Sequence, residues 1–249
     1  MKIDKIKKIG NKYKITFDDD SVLKTYDDVI INNRLLYNKK VDADVLNKLN
    51  KDTSYYDIYY KTVNYITRKL RSKKEIVEFI DKNNVNERDK KEVIRKLKEI
   101  GLINDLQFTK AYISDHIYLS NDGPLKIKKN LLEHNILEET IDLELSNIDI
   151  NIIIEKLTKL INKKISSTKY SGYVLKQKIL NDFINLGYSK EMICAIFDSI
   201  SVNKTSLLKK EYDKLYKKYS IKYSGKELDN KIKSKLYQKG FTIDEINNI

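Results

Sequence analysis

KIKKNLLEHNI, residues 126–136, is one of four copies of a short segment that decides the fold of this chain. The other copies are EIVEFIDKNNV (75–85), KILNDFINLGY (178–188) and KIKSKLYQKGF (231–241), and successive copies are offset by 51, 52 and 53 residues. In each copy an apolar residue stands second and sixth, Asn or Gly stands tenth, and an apolar residue follows. Asn and Gly tolerate the left-handed conformation that ends a helix, so each copy predicts a short helix, a stop and an apolar contact.

Further helical segments flank each copy. The segment before each copy has apolar residues at spacings of three and four, such as Leu208, Tyr212 and Leu215, which is typical of a long amphipathic helix. A third helical segment follows, for example KEMICAIFDSI (190–200). Since about fifty residues bury little core alone, the units are expected to stack into an elongated, curved array. The predicted three-helix repeats are residues 53–105, 106–154, 155–201 and 202–249.

Residues 1–52 follow a different pattern. YKITFDDDSVLKTY (13–26) alternates apolar and polar residues on both sides of an Asp-rich turn, which predicts a β-hairpin with one buried face. KIDKIKKIG (2–10) is a candidate for a third strand, and residues 27–42 indicate a short helix and a connector. The predicted fold class is therefore mainly α, with a small N-terminal β region that packs against the helices.

Capping signals support several of the helix starts. Pro124, the single proline of the chain, follows Gly123 and suits the first position of a helix, because the N–H that proline lacks has no helical partner there. The tetrapeptide KYSG occurs at 169–172 and again at 222–225, in the same frame of two repeats. Three pairs have the spacing of a capping box: Ser72 with Glu75, Ser224 with Glu227 and Thr242 with Glu245.

The chain of 249 residues carries a formal net charge of +13, and that charge is uneven. The formal charges of residues 106–154 sum to −4, whereas those of residues 202–249 sum to +6. The positive net charge of the whole chain indicates an anionic partner: nucleic acid, an anionic membrane or an acidic protein surface. No apolar run reaches the ~18–20 residues that span a bilayer, and the N-terminus lacks the apolar core of a signal peptide, so we expect a cytoplasmic protein without a membrane role.

The sequence lacks the common catalytic and cofactor motifs. It has no GxxxxGK[ST] loop, and His116 and His134 have no partner at metal-ligand spacing. Cys194 cannot form an internal disulfide and is interpreted as a small buried residue. The three aspartates at 18–20 are interpreted as a turn rather than a metal site. We therefore predict a protein that is not an enzyme and that uses no cofactor or metal.

Positive charge on the repeated short helices is the main functional signal. Lysines at one position of successive stacked repeats would form a stripe, and a stripe can follow a phosphate backbone. Because lysine is a point charge without bidentate base contacts, sequence-nonspecific contact is expected. For any single lysine, the alternative is a merely solvated helix face. The candidate residues for nucleic-acid binding are Arg68, Lys69, Arg71, Lys73, Lys74, Lys126, Lys128, Lys129, Lys169, Lys176, Lys178, Lys222, Lys226, Lys231, Lys233 and Lys235.

GLINDLQFTKAYISDHIYLSNDGPLKIKKNLLEHNI, residues 101–136, resembles the central signature of the RecX family of recombination regulators. That signature has a G-x-I-x-D-x-x-F segment, a long helix, Gly-Pro, an apolar residue four after the glycine and a helix stop. RKLRSKKEI (68–76) is similar to the family's first-repeat junction. The resemblance is specific at about residues 60–140, and beyond them the repeat frame supports it. The matching residues are Gly101, Ile103, Asp105, Phe108, Gly123, Pro124, Ile127, Leu131 and Ile136.

The resemblance implies a non-enzymatic regulator that binds the RecA recombinase and RecA filaments on single-stranded DNA, often along the helical groove. It implies that filament growth, RecA ATPase and strand exchange are modulated, mainly inhibited, in DNA recombination and repair and in the SOS response. The repeat cations would then face DNA or the filament groove. The chain departs from the pattern at Asn135, where the family usually has glycine, and at Lys126 and its neighbours, where arginine is more common. A fourth repeat implies a longer footprint.

Two other functions remain open at this point. A sequence-nonspecific DNA-binding protein that acts without RecA would bind DNA tightly alone, since short helices after long ones resemble helix-turn-helix units. A protein-interaction scaffold would bind its partner without sensitivity to salt. The 18 tyrosines offer base stacking, but most lie at apolar helix positions where core packing is expected. In each case we expect a monomer.

Overall fold

The computed structural model describes residues 1–200 and 204–248, and it confirms the predicted fold class. Within these residues the chain forms a three-stranded antiparallel sheet followed by helices. The strands are β1 (Ile3–Ile9), β2 (Lys12–Phe17) and β3 (Val22–Thr25). The helices are α1 (Asp27–Asn32), α2 (Ala43–Arg68), α3 (Lys73–Asp81), α4 (Glu87–Glu99), α5 (Asp105–Leu119), α6 (Pro124–Glu133), α7 (Glu138–Ser146), α8 (Ile150–Ser166), α9 (Gly172–Asn185), α10 (Lys190–Ser199), α11 (Lys204–Tyr219), α12 (Gly225–Gln238) and α13 (Ile243–Asn247).

The chain divides into two compact units, residues 1–108 and 109–249. The helices follow the predicted order of a long, a short and a third helix in each repeat, beginning with α2, α5, α8 and α11. The boundaries of the four repeats and their elongated stacking stay predictions. No helix in the described part of the chain is long and apolar enough to cross a membrane.

The N-terminal sheet confirms the predicted hairpin and third strand. Strands β2 and β3 pair antiparallel with Tyr13 opposite Thr25, and β1 pairs with β2 on its other edge. Residues 18–20 form a turn, as predicted: the Asp19 carboxylate accepts hydrogen bonds from the backbone N–H and the hydroxyl of Ser21, at 3.1 and 2.5 Å. The buried face carries Ile15 and Phe17, which begin the core of the first unit.

Helix α2 begins at Ala43, well before the start near residue 53 that the sequence indicates, and residues 33–42 connect it to the short helix α1. The Asp42 carboxylate caps it by accepting from the Val45 N–H at 2.8 Å. The first turns were missed because they bury few apolar side chains, chiefly Leu49. The predicted boundary at residue 52 therefore falls inside a continuous helix.

Two cores share helix α2. Leu49 and Tyr56 pack with the sheet, whereas Ile58 and Ile66 pack with residues of α3 and α4 such as Ile76. The Thr53 hydroxyl also meets the Thr25 hydroxyl of β3 at 2.7 Å, in a fully buried contact. The small sheet thus depends on this helix for its buried face, as a sheet of that size requires.

The repeat frame read from the sequence is confirmed in three dimensions. The apolar residue at its second position is 0–1% exposed in all four copies, and the one at its sixth position is 0–4% exposed. The residues at its tenth position all have positive φ, with values of 53°, 59°, 87° and 93° at Asn84, Asn135, Gly187 and Gly240. Each short helix therefore ends on a left-handed residue, and the next apolar side chain turns back toward the core.

The capping predictions are confirmed at three of four helix starts. Ser72 and Thr242 form complete capping boxes, and Pro124 occupies the first turn of α6 after Gly123. The prediction for Ser224 is wrong, because its side chain makes no capping hydrogen bond. The residue after it, Gly225, has φ of +54°, so the backbone turns away from the geometry that a capping box needs.

Short helices α6 and α9 meet end to end. The Gly123 N–H donates to the Leu186 carbonyl at 2.6 Å, and the Leu125 N–H donates to the Gly187 carbonyl at 3.0 Å. A Cβ atom on Gly187 would lie 2.3 Å from the backbone nitrogen of Lys126. No side chain fits at such a distance, so this joint between α6 and α9 requires glycine for space as well as for its φ.

The same kind of joint connects α9 to α12. The Ser171 N–H donates to the Lys239 carbonyl at 2.8 Å, and a Cβ atom on Gly240 would lie 2.2 Å from the Ser171 carbonyl oxygen. The start of α6 thus contacts the end of α9, and the start of α9 contacts the end of α12. In the second unit, α6, α9 and α12 form one series joined by backbone hydrogen bonds.

Candidate nucleic-acid interface

One lysine recurs at the first position of the repeated segment: Lys126, Lys178 and Lys231. We call these three residues the lysine row. Each precedes a fully or almost fully buried isoleucine, so each lies in the same direction relative to its helix and the core. Because α6, α9 and α12 are joined end to end, the three lysines occupy equivalent places along consecutive helices. In the first repeat the position is Glu75, which serves the capping box instead.

The three lysines of the row have different neighbours. Lys126 is ion-paired, with its Nζ 2.7 Å from a carboxylate oxygen of Asp122. Lys178 lies over the ring of Tyr170, 4.4 Å from its centroid, and Lys231 lies 5.7 Å from the ring centroid of Tyr223. Neither Lys178 nor Lys231 is ion-paired with a described carboxylate, and both side chains are exposed. A phosphate group would meet these two ammonium groups without displacing an internal partner.

The two KYSG tetrapeptides supply the tyrosines that contact these two lysines, Tyr170 for Lys178 and Tyr223 for Lys231. In the third repeat Lys169 also lies over the Tyr170 ring, 5.6 Å from its centroid. Lys164, Lys169, Tyr170 and Lys178, which we call the Lys–Tyr cluster, line a cavity of about 430 Å³ together with Ser167 and Thr168. Asp182 also lines it and pairs with Lys164 at 2.7 Å. Three ammonium groups against one carboxylate suit an anion such as a phosphate group.

The fourth repeat has the residues of the same cluster 53 positions later. Lys217, Lys222, Tyr223 and Lys231 stand at the positions of Lys164, Lys169, Tyr170 and Lys178, and Lys235 replaces Asp182. Lys235 donates a hydrogen bond to the Gln238 side chain at 2.9 Å, so it is not neutralised there. At the positions of this cluster the fourth repeat therefore carries more positive charge than the third, in agreement with the net charge of +6 for residues 202–249.

Several predicted site residues are already held by carboxylates of the chain. Asp142 and Glu138, at 2.6 and 2.8 Å, hold the ammonium group of Lys128 and raise its pKa. Asp198 does the same for Lys176 at 2.8 Å. Lys233 pairs with Asp229 at 3.0 Å. These lysines stay cationic, but a phosphate would compete with an internal partner, so their contribution to binding should be smaller.

The cations of the first repeat surround the junction between α2 and α3. Arg71 pairs with Glu75 at 2.9 Å and lies over the Tyr65 ring, 4.4 Å from its centroid, so it supports the junction. The Lys73 N–H donates to the Asp105 carboxylate at 3.2 Å, which gives Asp105 a structural role at the start of α3.

The other predicted site residues, from three of the repeats, are mostly exposed. Those with exposed side chains are Arg68, Lys69, Lys73, Lys129, Lys222 and Lys226, whereas Lys74 is half-buried.

A half-buried network that the sequence did not indicate lies where the second and third repeats meet. The half-buried Lys156 of α8 donates to the carbonyl oxygens of His116 and Asp122, both at 3.0 Å. Burial lowers the pKa of this lysine. Asp122 in turn contacts Lys126 and the His116 ring, at 2.7 and 2.9 Å. Against the effect of burial, these partners lower the pKa of the Asp122 carboxyl.

This network gives the Gly-Pro turn and one of the two histidines a structural explanation. The His116 ring stacks on Tyr112 at 4.1 Å between centroids, and the His134 ring meets the same tyrosine at 5.8 Å. No group of three His, Cys, Asp or Glu side chains in residues 1–200 and 204–248 is placed to hold a metal ion. Lys156 lies 34 and 40 residues from its partners, so no local pattern could have identified it.

The fold and the surface together define a class: a helical-repeat protein with a row of lysines on joined short helices. No protein-family model matches the chain. Regulatory protein RecX of Streptococcus equi subsp. equi is 28% identical over 251 residues, which cover 99% of this chain and 97% of that protein. Regulatory protein RecX of Streptococcus gordonii is 25% identical over 254 residues, which cover 100% and 98%.

Solved structures give the same result for the fold. A crystal structure of regulatory protein RecX superposes with a TM-score of 0.68, covers 80% of this chain and 99% of its own, and is 22% identical. RecX from Lactobacillus salivarius superposes with a TM-score of 0.54 over 58% of this chain and 94% of its own, at 26% identity. The resemblance to the RecX family is confirmed over the full length of the chain. The relatives are named regulatory proteins rather than enzymes.

Proposed function

We propose that this protein binds the RecA recombinase and RecA filaments on single-stranded DNA and limits filament growth. By this action it would reduce RecA ATPase and strand exchange in DNA recombination and repair, and in the SOS response. RecA supplies the ATP hydrolysis, and the present chain acts by binding alone. The role places the protein in the cytoplasm, where it acts as a monomer and needs no cofactor.

The observation that carries the proposal is the lysine row on end-to-end helices. Lys178 and Lys231 are exposed, rest on tyrosine rings and have no carboxylate partner among the described residues. Regularly placed point charges neutralise successive phosphates of a nucleic acid, and they do so without reading its sequence. The resemblance to RecX regulatory proteins adds RecA as the protein that carries this nucleic acid.

The acidic second repeat fits the protein component of the filament. The formal charges of residues 106–154 sum to −4, and most lysines of α6 are neutralised by Asp122, Asp142 and Glu138. A surface of this kind repels phosphate and suits a basic protein surface. We therefore place DNA phosphates against the third and fourth repeats and assign RecA contacts to the second.

RecA ATPase on single-stranded DNA, titrated with this protein, tests the proposal. Loss of ATPase at a ratio well below one per RecA indicates interference with filament extension. The Lys178→Glu/Lys231→Glu variant should require about ten times more protein for the same inhibition, since each lost phosphate contact weakens binding. The Lys5→Glu/Lys7→Glu variant has the same net charge, with both changes at exposed positions of β1, and should inhibit like the unmodified protein.

Two results would reject this proposal. If the protein binds single-stranded DNA tightly but leaves RecA ATPase unchanged, the protein is a DNA-binding protein that acts without RecA. If inhibition occurs and both double variants inhibit equally well, RecA is a partner but the lysine row does not contact its filament.

A further inference from the structure

A second cavity lies beside the Lys–Tyr cluster, at the start of α9. It measures about 310 Å³ and is bordered by the first turn of α9 and the end of α10. Its apolar walls include Tyr173, Phe197 and Ile200, and Lys176 and Asp198 supply an ion pair at 2.8 Å. The Tyr173 ring is 74% exposed, although large aromatic side chains usually bury most of their surface.

The cavity also contains a polar group without a partner. Ser171 lines it, and the buried Ser171 hydroxyl has no hydrogen-bond partner among the described residues. Buried hydroxyls are nearly always hydrogen-bonded, so an unpartnered one beside a cavity points to a ligand with a polar edge. Aromatic and aliphatic walls with a few polar groups are the usual composition of a pocket for a small planar group.

The two cavities of the third repeat share a wall. Leu175 lines both, and the segment from Lys169 to Tyr173 runs from one to the other without a break. One cavity is rich in ammonium groups, and the other is mainly apolar and aromatic. A nucleotide has the same two parts, an anionic phosphate and a flat base, joined by one sugar.

We propose that the third repeat binds one nucleotide of a single strand, with its backbone phosphate in the Lys–Tyr cluster and its base in the cavity beside Tyr173. This inference rests on the proposed nucleic-acid function and adds the kind of ligand, an unpaired base. In a duplex the bases are stacked and paired inside the helix, so they cannot enter a surface cavity without leaving it. An aromatic side chain that accepts a base is tolerant of its identity, so the site adds preference for single strands rather than for a sequence.

The adjacent charge favours a nucleotide over a side chain of a protein. An aromatic anchor of a partner protein would fill the apolar cavity, but it would leave the neighbouring ammonium groups of Lys169 and Lys178 without an anion, since Asp182 pairs only with Lys164. A nucleotide supplies both groups, because its base fills the apolar cavity and its phosphate meets the ammonium groups. The fourth repeat has Lys226 at the position of Tyr173, so its phosphate cluster is not accompanied by an aromatic wall at that position.

Fluorescence anisotropy with three labelled 20-mers tests the inference: oligo-dT, the same backbone with abasic sites, and a duplex. The Tyr173→Ala variant should bind oligo-dT about tenfold more weakly than the unmodified protein, because it loses base stacking. Its binding to the abasic strand and to the duplex should be unchanged. Tyr237→Ala is the matched control, since Tyr237 of α12 is 62% exposed and lies outside the two cavities.

The outcomes separate the inference from the function on which it rests. If the unmodified protein binds none of the three ligands, the nucleic-acid function itself is wrong. If it binds all three with the usual salt dependence but Tyr173→Ala changes none of them, the nucleotide site is overturned and the function survives. If Tyr173→Ala leaves DNA binding intact but abolishes binding to RecA, the cavity holds a protein side chain, which also overturns the inference.

Discussion

The second and third repeats have the same helical frame but opposite electrostatic surroundings. Both place a lysine directly before a buried isoleucine of the short helix, Lys126 before Ile127 and Lys178 before Ile179. Lys126 is held by Asp122, whereas Lys178 rests on the Tyr170 ring and has no described carboxylate partner. The frame therefore decides where a lysine stands, and its neighbours decide whether its charge is available to a partner.

The largest expected effect on stability comes from the joint between these two repeats, where α6 meets α9. Replacing Gly187 with alanine should lower the free energy of unfolding by about 3 kcal/mol or more, because the new Cβ atom would lie 2.3 Å from a backbone nitrogen at a residue with φ of +87°. Urea denaturation followed by circular dichroism measures the loss.

Gly101→Ala is the control for backbone strain alone. Gly101 has φ of +76°, but a Cβ atom there would have no neighbour within 4 Å. The expected cost is about 1–2 kcal/mol, the usual cost of a left-handed alanine. Equal losses in the two variants would show that the joint between α6 and α9 is looser than its backbone hydrogen bonds indicate.

The network around Asp122 gives the second repeat a dependence on pH. Since the folded state lowers the pKa of Asp122, its stabilising effect is fully present above the ordinary carboxyl pKa of ~4 and is lost as pH falls through the lower folded value. Asp122→Asn should lower the free energy of unfolding by about 1–2 kcal/mol at pH 7, since Lys126 and the His116 ring lose a charged partner.

Thermal unfolding of both proteins between pH 7 and pH 2.5 measures this effect. The difference between them should shrink below pH ~4, where the unmodified protein also loses the charge of Asp122. Asp115→Asn, a change at the exposed residue directly before His116, should leave the profile unaltered. A difference that stays constant down to pH 2.5 would assign the role of Asp122 to packing rather than charge.

The smallest expected effect comes from a variant in which a lysine of the second repeat loses its carboxylate partners, as Lys178 of the third repeat has none among the described residues. Glu138→Gln with Asp142→Asn releases Lys128 from both of its partners. Binding to single-stranded DNA should then tighten about twofold to threefold, because exposed ion pairs contribute about 0.2–1 kcal/mol. Anisotropy at several salt concentrations measures the change.

A control variant with the same charge change distinguishes release of Lys128 from a general electrostatic effect. Glu139→Gln with Glu191→Gln removes two exposed carboxylates that are not ion-paired with a described lysine. If this control tightens DNA binding as much as the first variant, net charge alone explains the result. The lysine environment would then not matter.

Much of the fold could be predicted because its signals are local. The repeated segment predicted its buried isoleucines and left-handed stops, since helix periodicity and glycine or asparagine at a stop act within a dozen residues. The start of α2 was missed because its first turns bury little apolar surface. The capping prediction at Ser224 failed because the positive φ of Gly225 overrides the spacing of the motif.

The candidate site was predictable only in part. The sequence identified the lysines, but it could not show that Lys128, Lys176 and Lys126 are neutralised while Lys178 and Lys231 are not. It also missed Lys164, whose membership of the Lys–Tyr cluster depends on how the end of α8 meets α9. Ion pairs between side chains many residues apart depend on the packing of helices, which no local pattern records.

The sequence by itself determined the helical repeats, the short N-terminal sheet, the helix stops and the excess of positive charge. These features follow from side-chain polarity and backbone preference at neighbouring positions, which act before any long-range contact forms. Tertiary structure alone decided that the short helices join end to end through Gly187 and Gly240, and which lysines keep an exposed charge. The reason is physical: close backbone approach and ion pairing depend on distances between groups that are remote in the chain, and only packing sets those distances.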